Sequence, residues 1–240
     1  MEFMPEHAPL VVMAFLGTLG LLVLLVLFVL FALWTRKKWI GFGAIVLGLA
    51  LLSGYALVLV GVSLTSHEKV LALGEHKYFC EIDCHIAYSV AGVEESTALG
   101  DELRPSLAAG RFVIVHLKTW FDPSTISPHR GNGELPPGHR RVVLVDDQGH
   151  EFAPSTQAQA ALAKMRGTTR PLSQPLQPGE SYVTDVVFDL PSDLRNPRLF
   201  IGDDLGFPNR VLIGHEDSYF HKKIFLALAA ADTISAGRVP

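Results

Sequence analysis

Two apolar runs, Leu10–Trp34 and Ile40–Val62, follow one another at the start of the chain, and neither contains a charge. Each exceeds the ~20 residues that an α-helix needs to cross a ~30 Å hydrocarbon layer. They predict a transmembrane hairpin over residues 10–62 with a short loop at 35–39. The positive charges near both spans are Arg36, Lys37 and Lys38 in that loop. Lys and Arg are retained on the cytoplasmic side. The loop is therefore expected inside, with residues 1–9 and everything after Ser63 outside. Residues 1–9 carry Glu2 and Glu6 and no Lys or Arg. That start, the length of the apolar run and the lack of a small-residue cleavage site argue against a cleaved signal peptide.

The hairpin also carries a packing expectation. With Lys37 at the centre of the turn, residues whose numbers sum to about 74 share a depth. Gly20 then faces Gly54, and Ala32 faces Gly43. Ala44 and Gly48 form a small-xxx-small pair on the second span, as do Ala50 and Gly54. Close approach over small residues is what packs helices in lipid. Trp34 and Trp39 flank the basic loop at the depth of an interfacial aromatic belt. With no Asp, Glu, Lys, Arg or His inside either span, the membrane part is read as an anchor rather than a channel or proton path.

After a linker at 63–77, residues 78–228 are mixed and polar, enough for one core of ordinary size. The whole chain has a net charge of −4, and the basic loop makes the outer part more acidic still. A basic patch for nucleic acid is absent, and the compartment argues against that partner. All ten histidines and both cysteines lie outside the spans.

The pattern of the outer part is mainly one of strands: His85–Val93, Arg111–Phe121, Arg140–Val145 running into an Asp-Asp-Gln-Gly turn, Ser181–Leu190 stopped by Pro191, Arg198–Gly202, Val211–Gly214 and Tyr219–Leu228. One helix is expected at Thr156–Arg166, capped by Ser155 and ended by Gly167. The Pro-rich stretches 122–139 and 171–179 read as loops, and 229–240 as a flexible tail. Many short strands with Gly, Pro and Asp turns describe a β-sandwich with one inserted helix.

Four stretches carry a resemblance: Arg111-Phe-Val-Ile-Val-His-Leu117, then Val143-Leu-Val-Asp-Asp-Gln-Gly-His-Glu-Phe152, Leu176-Gln-Pro-Gly-Glu-Ser181 and Val187-Phe-Asp-Leu-Pro191. Over residues 85–226 the chain resembles a bacterial family of envelope-anchored immunoglobulin-like domains of unknown function. The resemblance implies an immunoglobulin-like sandwich used for adhesion, scaffolding or assembly at the inner membrane, with a protein partner in the membrane or envelope. It carries over no catalytic residue and no cofactor.

The stretch richest in chemistry is Phe79-Cys80-Glu81-Ile82-Asp83-Cys84-His85. Two thiols four apart beside a histidine suit copper. The plan of two spans followed by an outer β-domain also resembles subunit II of haem–copper oxidases, whose copper site uses a Cys-x-x-x-Cys. Here the motif opens the domain rather than closing it. No histidine lies four residues beyond Cys84, and Met165 is the one methionine of the outer part. Thioredoxin-like copper-delivery proteins share the cysteine spacing but open a helix with it.

A copper site at Cys80, Cys84 and His85 needs further histidines, and His215 and His221 are the candidates. If residues 78–93 form one strand, the cysteines share a face about 13 Å apart at ~3.3 Å per residue and cannot meet. If residues 80–84 form a turn, a Cys80–Cys84 disulfide can close, since that bond needs Cα atoms within ~7 Å. His129 and His139 with Arg130, Arg140 and Arg141 read as a solvated or partner-facing loop, and Asp203-Asp204 and Glu216-Asp217 as acidic turns. No triad, nucleophile elbow or phosphate loop is legible, so an enzyme is not expected.

Overall fold

In the computed structural model, residues 8–81, 84–101, 104–203 and 206–229 are described, and the expected tail lies almost wholly outside them. The chain forms two compact units. One comprises residues 8–67 together with 206–223; the other comprises 68–203 and the strand that starts at Ile224.

The first unit is built on helix α1 (Ala8–Trp34) and helix α2 (Lys38–Leu64). Both are long and apolar enough to cross a membrane. In lipid every backbone group must be satisfied internally, which a helix does. The turn between them is a C-terminal cap in which Lys37 N–H donates to Ala32 O at 2.9 Å and Arg36 N–H to Leu33 O at 3.1 Å. This paired pattern needs a left-handed residue at the cap. Arg36 supplies it with φ 55°. Arg36, Lys37 and Lys38 are all exposed.

The seam between the helices runs over Ala32, Gly41, Ala44 and Gly48. Ala32 and Ala44 are buried. A Cβ on Gly41 would stand 3.4 Å from the Ala32 Cβ, and one on Gly48 would stand 3.7 Å from Leu25. These pairs sum to 73, close to the expected register. Of the small residues expected to pack, Ala32, Ala44 and Gly48 lie on this seam, whereas a Cβ on Gly20, Gly43 or Gly54 would meet nothing within 4 Å.

The second unit is a β-sandwich. One sheet orders β1 (Lys69–Leu71), β9 (Ile224–Ala227), β8 (Arg198–Asp203), β5 (Arg140–Val145) and β6 (Glu151–Phe152); the other orders β2 (Lys77–Glu81), β3 (Cys84–Asp101), β4 (Arg104–Asp122) and β7 (Ser181–Leu190). The chain crosses between sheets after β1, β4, β6 and β7, so 9-8-5-6 and 3-4-7 reproduce the Greek key of immunoglobulin-like sandwiches. Ile86, Tyr88, Val90, Val115, Leu117 and Phe121 from one sheet meet Leu144, Leu199, Ile201 and Leu226 from the other in the main core. Each such side chain contributes about 1.5–3 kcal/mol on burial.

Helix α3 (Thr156–Arg166) begins at Ser155, whose side chain accepts from Ala158 N–H, and ends at Gly167, φ 85°. It lays Ala158 and Leu162 on Leu99, Phe112, Ile114 and Val187, making a second core on the outer face of the four-stranded sheet.

The strands differ from expectation in several places, the first being β1, which forms inside the stretch 63–77 expected as a linker and pairs with β9. β3 and β4 run on as one long hairpin to Asp101 and Arg104, with irregularities between Val90 and Gly92 and between Ser96 and Ala98; α3 covers this extension and makes it worth forming. Val211–Gly214 is not a strand: Asn209–Val211 is a single 3-10 turn. The last strand starts at Ile224 rather than Tyr219. Both latter stretches belong to the unit with the helices, where no sheet edge is offered.

Two cations are buried in the sandwich. Lys77 is 5% exposed. Its ammonium donates to Ile201 O at 2.6 Å and Ile224 O at 2.9 Å, and stands 4.7 Å from the Phe200 ring centroid. Arg140, expected on a solvated loop, has a side chain only 4% exposed. It pairs with Asp203 and lies 4.3 Å from the Phe79 ring centroid. A buried charge is tolerated only with such partners.

Lys77→Ala is expected to cost roughly 2–4 kcal/mol, from lost stem packing and from carbonyls deprived of their donor. Urea unfolding of the detergent-solubilised chain measures it. Gly110→Ala is expected to cost about 1–3 kcal/mol, because its Cβ would overlap the Leu190–Ser192 backbone; the same titration reads it.

Candidate functional site

The hairpin of β2 and β3 sets the chemistry of the Cys80–His85 stretch. Its connection, Ile82-Asp83, lies outside the described residues. In the register Cys80 stands opposite His85, and Glu81 opposite Cys84. On the other side of β3, His85 stands opposite Asp122 of β4. Directly opposed residues point to one face of a sheet, so Cys80, His85 and Asp122 form a single row across three strands. Cys80 is exposed, His85 half-buried and Asp122 buried.

Asp122 is held from several sides because it also starts a 3-10 turn at Pro123–Thr125. Its Oδ1 accepts from Ser124 N–H at 2.9 Å and from Ser124 Oγ at 2.6 Å. Its Oδ2 accepts from the Tyr78 hydroxyl at 3.1 Å. Burial pushes the carboxyl up, but the Ser124 and Tyr78 hydrogen bonds and the nearby His85 outweigh it and hold it below the usual carboxylate range. Burial, then the bond to Asp122, raises the Tyr78 phenol. The turn reaches back to the row: His85 N–H donates to Thr125 Oγ1 at 2.9 Å.

Rings extend this row along the sheet. His76 lies 5.1 Å from Trp120 and 6.1 Å from Tyr78, centroid to centroid, and Tyr78 meets His85 edge-on at 6.4 Å. Tyr78 is exposed, and His76 and Trp120 are half-buried. The result is a ladder of aromatic and imidazole rings on the outer face, ending at the Cys80–His85–Asp122 row.

Within the sandwich, the two cysteines fall on different sides of the β2–β3 hairpin. Cys84 is buried in the main core, one alternation away from the exposed Cys80. The two thiols are not joined by a disulfide. The pairing of β2 with β3 explains both observations: it sets each cysteine across from a residue other than its fellow. His215 and His221 belong to residues 206–223, in the unit with the helices. The His215 Nδ1 accepts from Asp217 N–H at 3.1 Å, and the His221 Nδ1 lies 2.7 Å from Lys222 O. Among the described residues no group of three or more His, Cys, Asp or Glu is placed to hold a metal ion.

A second polar cluster works structurally. His116 Nδ1 is 2.6 Å from Asp185 and its Nε2 is 3.2 Å from Glu94, which Arg166 of α3 contacts at 2.8 Å. The Arg166 hydrogen bond holds Glu94 below the usual carboxylate range. Gln159 of α3 donates to Asp185 O at 2.8 Å and accepts from Val187 N–H at 3.1 Å. These contacts clamp α3 to the sheet. The hollows beside α3, of ≈ 390 and ≈ 170 Å³, are lined by its own alanines, glutamine and neighbouring threonines and share no residue with the ring ladder.

Tyr78, Trp120, His76 and Asp122 carry the site, yet the sequence marked only Cys80 and His85. The legible signal was alternation at 76, 78 and 80; the pairing of those positions with Trp120 and Asp122 follows from register between distant strands.

No family model and no curated protein matches the chain. Solved structures that resemble it include a secreted protein of Mycobacterium tuberculosis, MPT63, at 12% identity and a TM-score of 0.42, covering 68% of this chain and 97% of that one. An uncharacterised β-sandwich protein of Clostridium difficile matches at 12% identity and 0.38, covering 68% and 96%. A conserved hypothetical protein of Bacillus anthracis matches at 15% and 0.39, covering 55% and 88%.

The depressed Asp122 carboxyl has a pH consequence. A carboxylate favoured in the folded state adds stability above its unfolded pKa and loses it as pH falls through the folded one. The stability gap between the native chain and Asp122→Asn is therefore expected to be widest at neutral pH and to close through the acidic carboxylate range. Urea midpoints across that range test it; a gap independent of pH contradicts it.

Proposed function

We propose that this chain is a membrane-tethered, extracytoplasmic interaction module of a bacterial inner membrane. In this reading the sandwich engages a protein partner in the membrane or envelope through the His76–Trp120–Tyr78–His85 ladder. The orientation rests on the exposed Arg36, Lys37 and Lys38 at the hairpin turn, which favour a cytoplasmic loop. The carrying observation is the ladder itself. An exposed tyrosine, a half-buried tryptophan and two imidazoles stack at 5.1–6.4 Å on the outer face of β2, β3 and β4. Tyrosine and tryptophan supply large, stiff contact area at low entropic cost and are enriched in the cores of interfaces. The role is one of assembly rather than catalysis.

A second reading, copper or thiol chemistry, is favoured by the cross-strand pairing of Cys80 with His85. A thiolate beside an imidazole suits copper(I). In this reading Cys84, on the buried side of the hairpin, packs rather than ligates.

A photo-reactive phenylalanine analogue at Tyr78, in the full chain in native membranes, separates the two. The interaction reading expects a discrete cross-linked species from position 78, none from Leu107 on the β3–β4 arm, and no change on Cys80→Ser. The copper reading expects copper uptake with thiolate absorption that disappears in Cys80→Ser. Absence of any cross-link from position 78 sinks the first reading.

A further inference from the structure

Residues 206–223, the connection between β8 and β9, pack with the helical hairpin rather than with the strands they join. Two hydrogen bonds fix where along α2 they lie. The Tyr55 hydroxyl donates to Val211 O at 2.7 Å, and Lys222 N–H donates to Ser66 Oγ at 2.8 Å. Tyr55 precedes Val62, the end of the apolar run, by seven residues, or about 10 Å at 1.5 Å per residue. Leu57, Val58 and Leu64 remain exposed around this stretch, so α2 is apolar on its outside up to its last turn. The connection thus descends beside α2 below the edge of the apolar zone.

We propose that residues 206–223 are seated in the bilayer leaflet in which α2 ends, with Phe207, Tyr219 and Phe220 among the lipids at the headgroup boundary. These three rings are 73%, 52% and 69% exposed. Large exposed aromatics so close together are unfavourable in water and suit the interface, where amphipathic rings gather. Phe220 sits at φ 68°, a region a bulky residue rarely adopts and one that costs energy to hold; here it turns the ring outward. The opposite side of the segment is buried, at Asn209, Leu212, His215 and Ser218.

The backbone fits the same environment. Irregular chain is tolerated at membrane depth only where its polar groups find partners within the protein. Val211 N–H bonds Pro208 O, His215 N–H bonds Leu212 O, Ser218 N–H bonds His215 O and Tyr219 N–H bonds Arg210 O, at 2.9–3.2 Å. The Val211 carbonyl, beside the apolar run of α2, is taken by Tyr55. Arg210 and Lys222 are exposed on the same segment, where long basic side chains extend toward lipid phosphates. The surface is continuous with the lipid-facing side of α2, and its occupant is the bilayer itself.

Single-tryptophan versions of the full chain, with native tryptophans replaced by phenylalanine, test this in phosphatidylcholine vesicles. Phe207→Trp and Phe220→Trp are each expected to emit at blue-shifted wavelengths, to lose most of their emission to lipid brominated on its acyl chains, and to resist iodide in the water. A chain retaining only Trp34 verifies insertion by the same lipid quenching. Iodide quenching with unshifted emission at either reporter, in vesicles where Trp34 is lipid-quenched, overturns the seating.

Discussion

The antiparallel pairing of β3 with β4 is the interaction on which the sandwich depends. It joins the hairpin of β2 to β7 in one sheet, so the inner faces of these strands supply Ile86, Tyr88, Val90, Val115, Leu117 and Phe121 to the main core. At one end it aligns His85 with Asp122 and leaves the ring ladder on the outer face. Toward the other it runs past the bulge at Val90–Gly92 to the surface covered by α3. A shift of one residue in this pairing would exchange the faces, sending the rings inward and dissolving the Cys80–His85–Asp122 row.

That dependence explains how polar groups are distributed. Charges that enter the sandwich do so with partners: Lys77 on two carbonyls and Arg140 on Asp203 and the Phe79 ring. Buried polar groups placed this way restrict the sheets to one register, since slippage would strand a charge in the core. The hairpin in the first unit follows a different rule, close approach over Ala32, Gly41, Ala44 and Gly48, because lipid offers no hydrophobic drive between helices.

Legibility followed the range of the cause. The ends of α3 were readable because Ser155 and Gly167 act on their own turn, and β7 was readable because Pro191 stops it locally. Depth matching in the helices was nearly right, since it depends on the loop alone; the expected pair Ala44 and Gly48 lies on the seam, whereas Gly20, Gly43 and Gly54 lie off it. Arg140 read as solvated because neither Asp203 nor the Phe79 ring is near it in sequence. Val211–Gly214 read as a strand because β-branched composition cannot tell a sheet edge from a segment packed elsewhere.

By itself the sequence determined that two helices long enough for a membrane precede a β-sandwich, with a basic turn between them and a capped helix in the sandwich. These properties come from runs, alternation and caps, which act within a few residues. Tertiary structure alone decided that Cys80 stands across from His85, in a row with Asp122, rather than against Cys84, that Lys77 is buried, and that residues 206–223 leave the sandwich for the side of α2. Each of these depends on strand register or packing between positions far apart in the chain, and periodicity holds no information about which distant strand will be the neighbour.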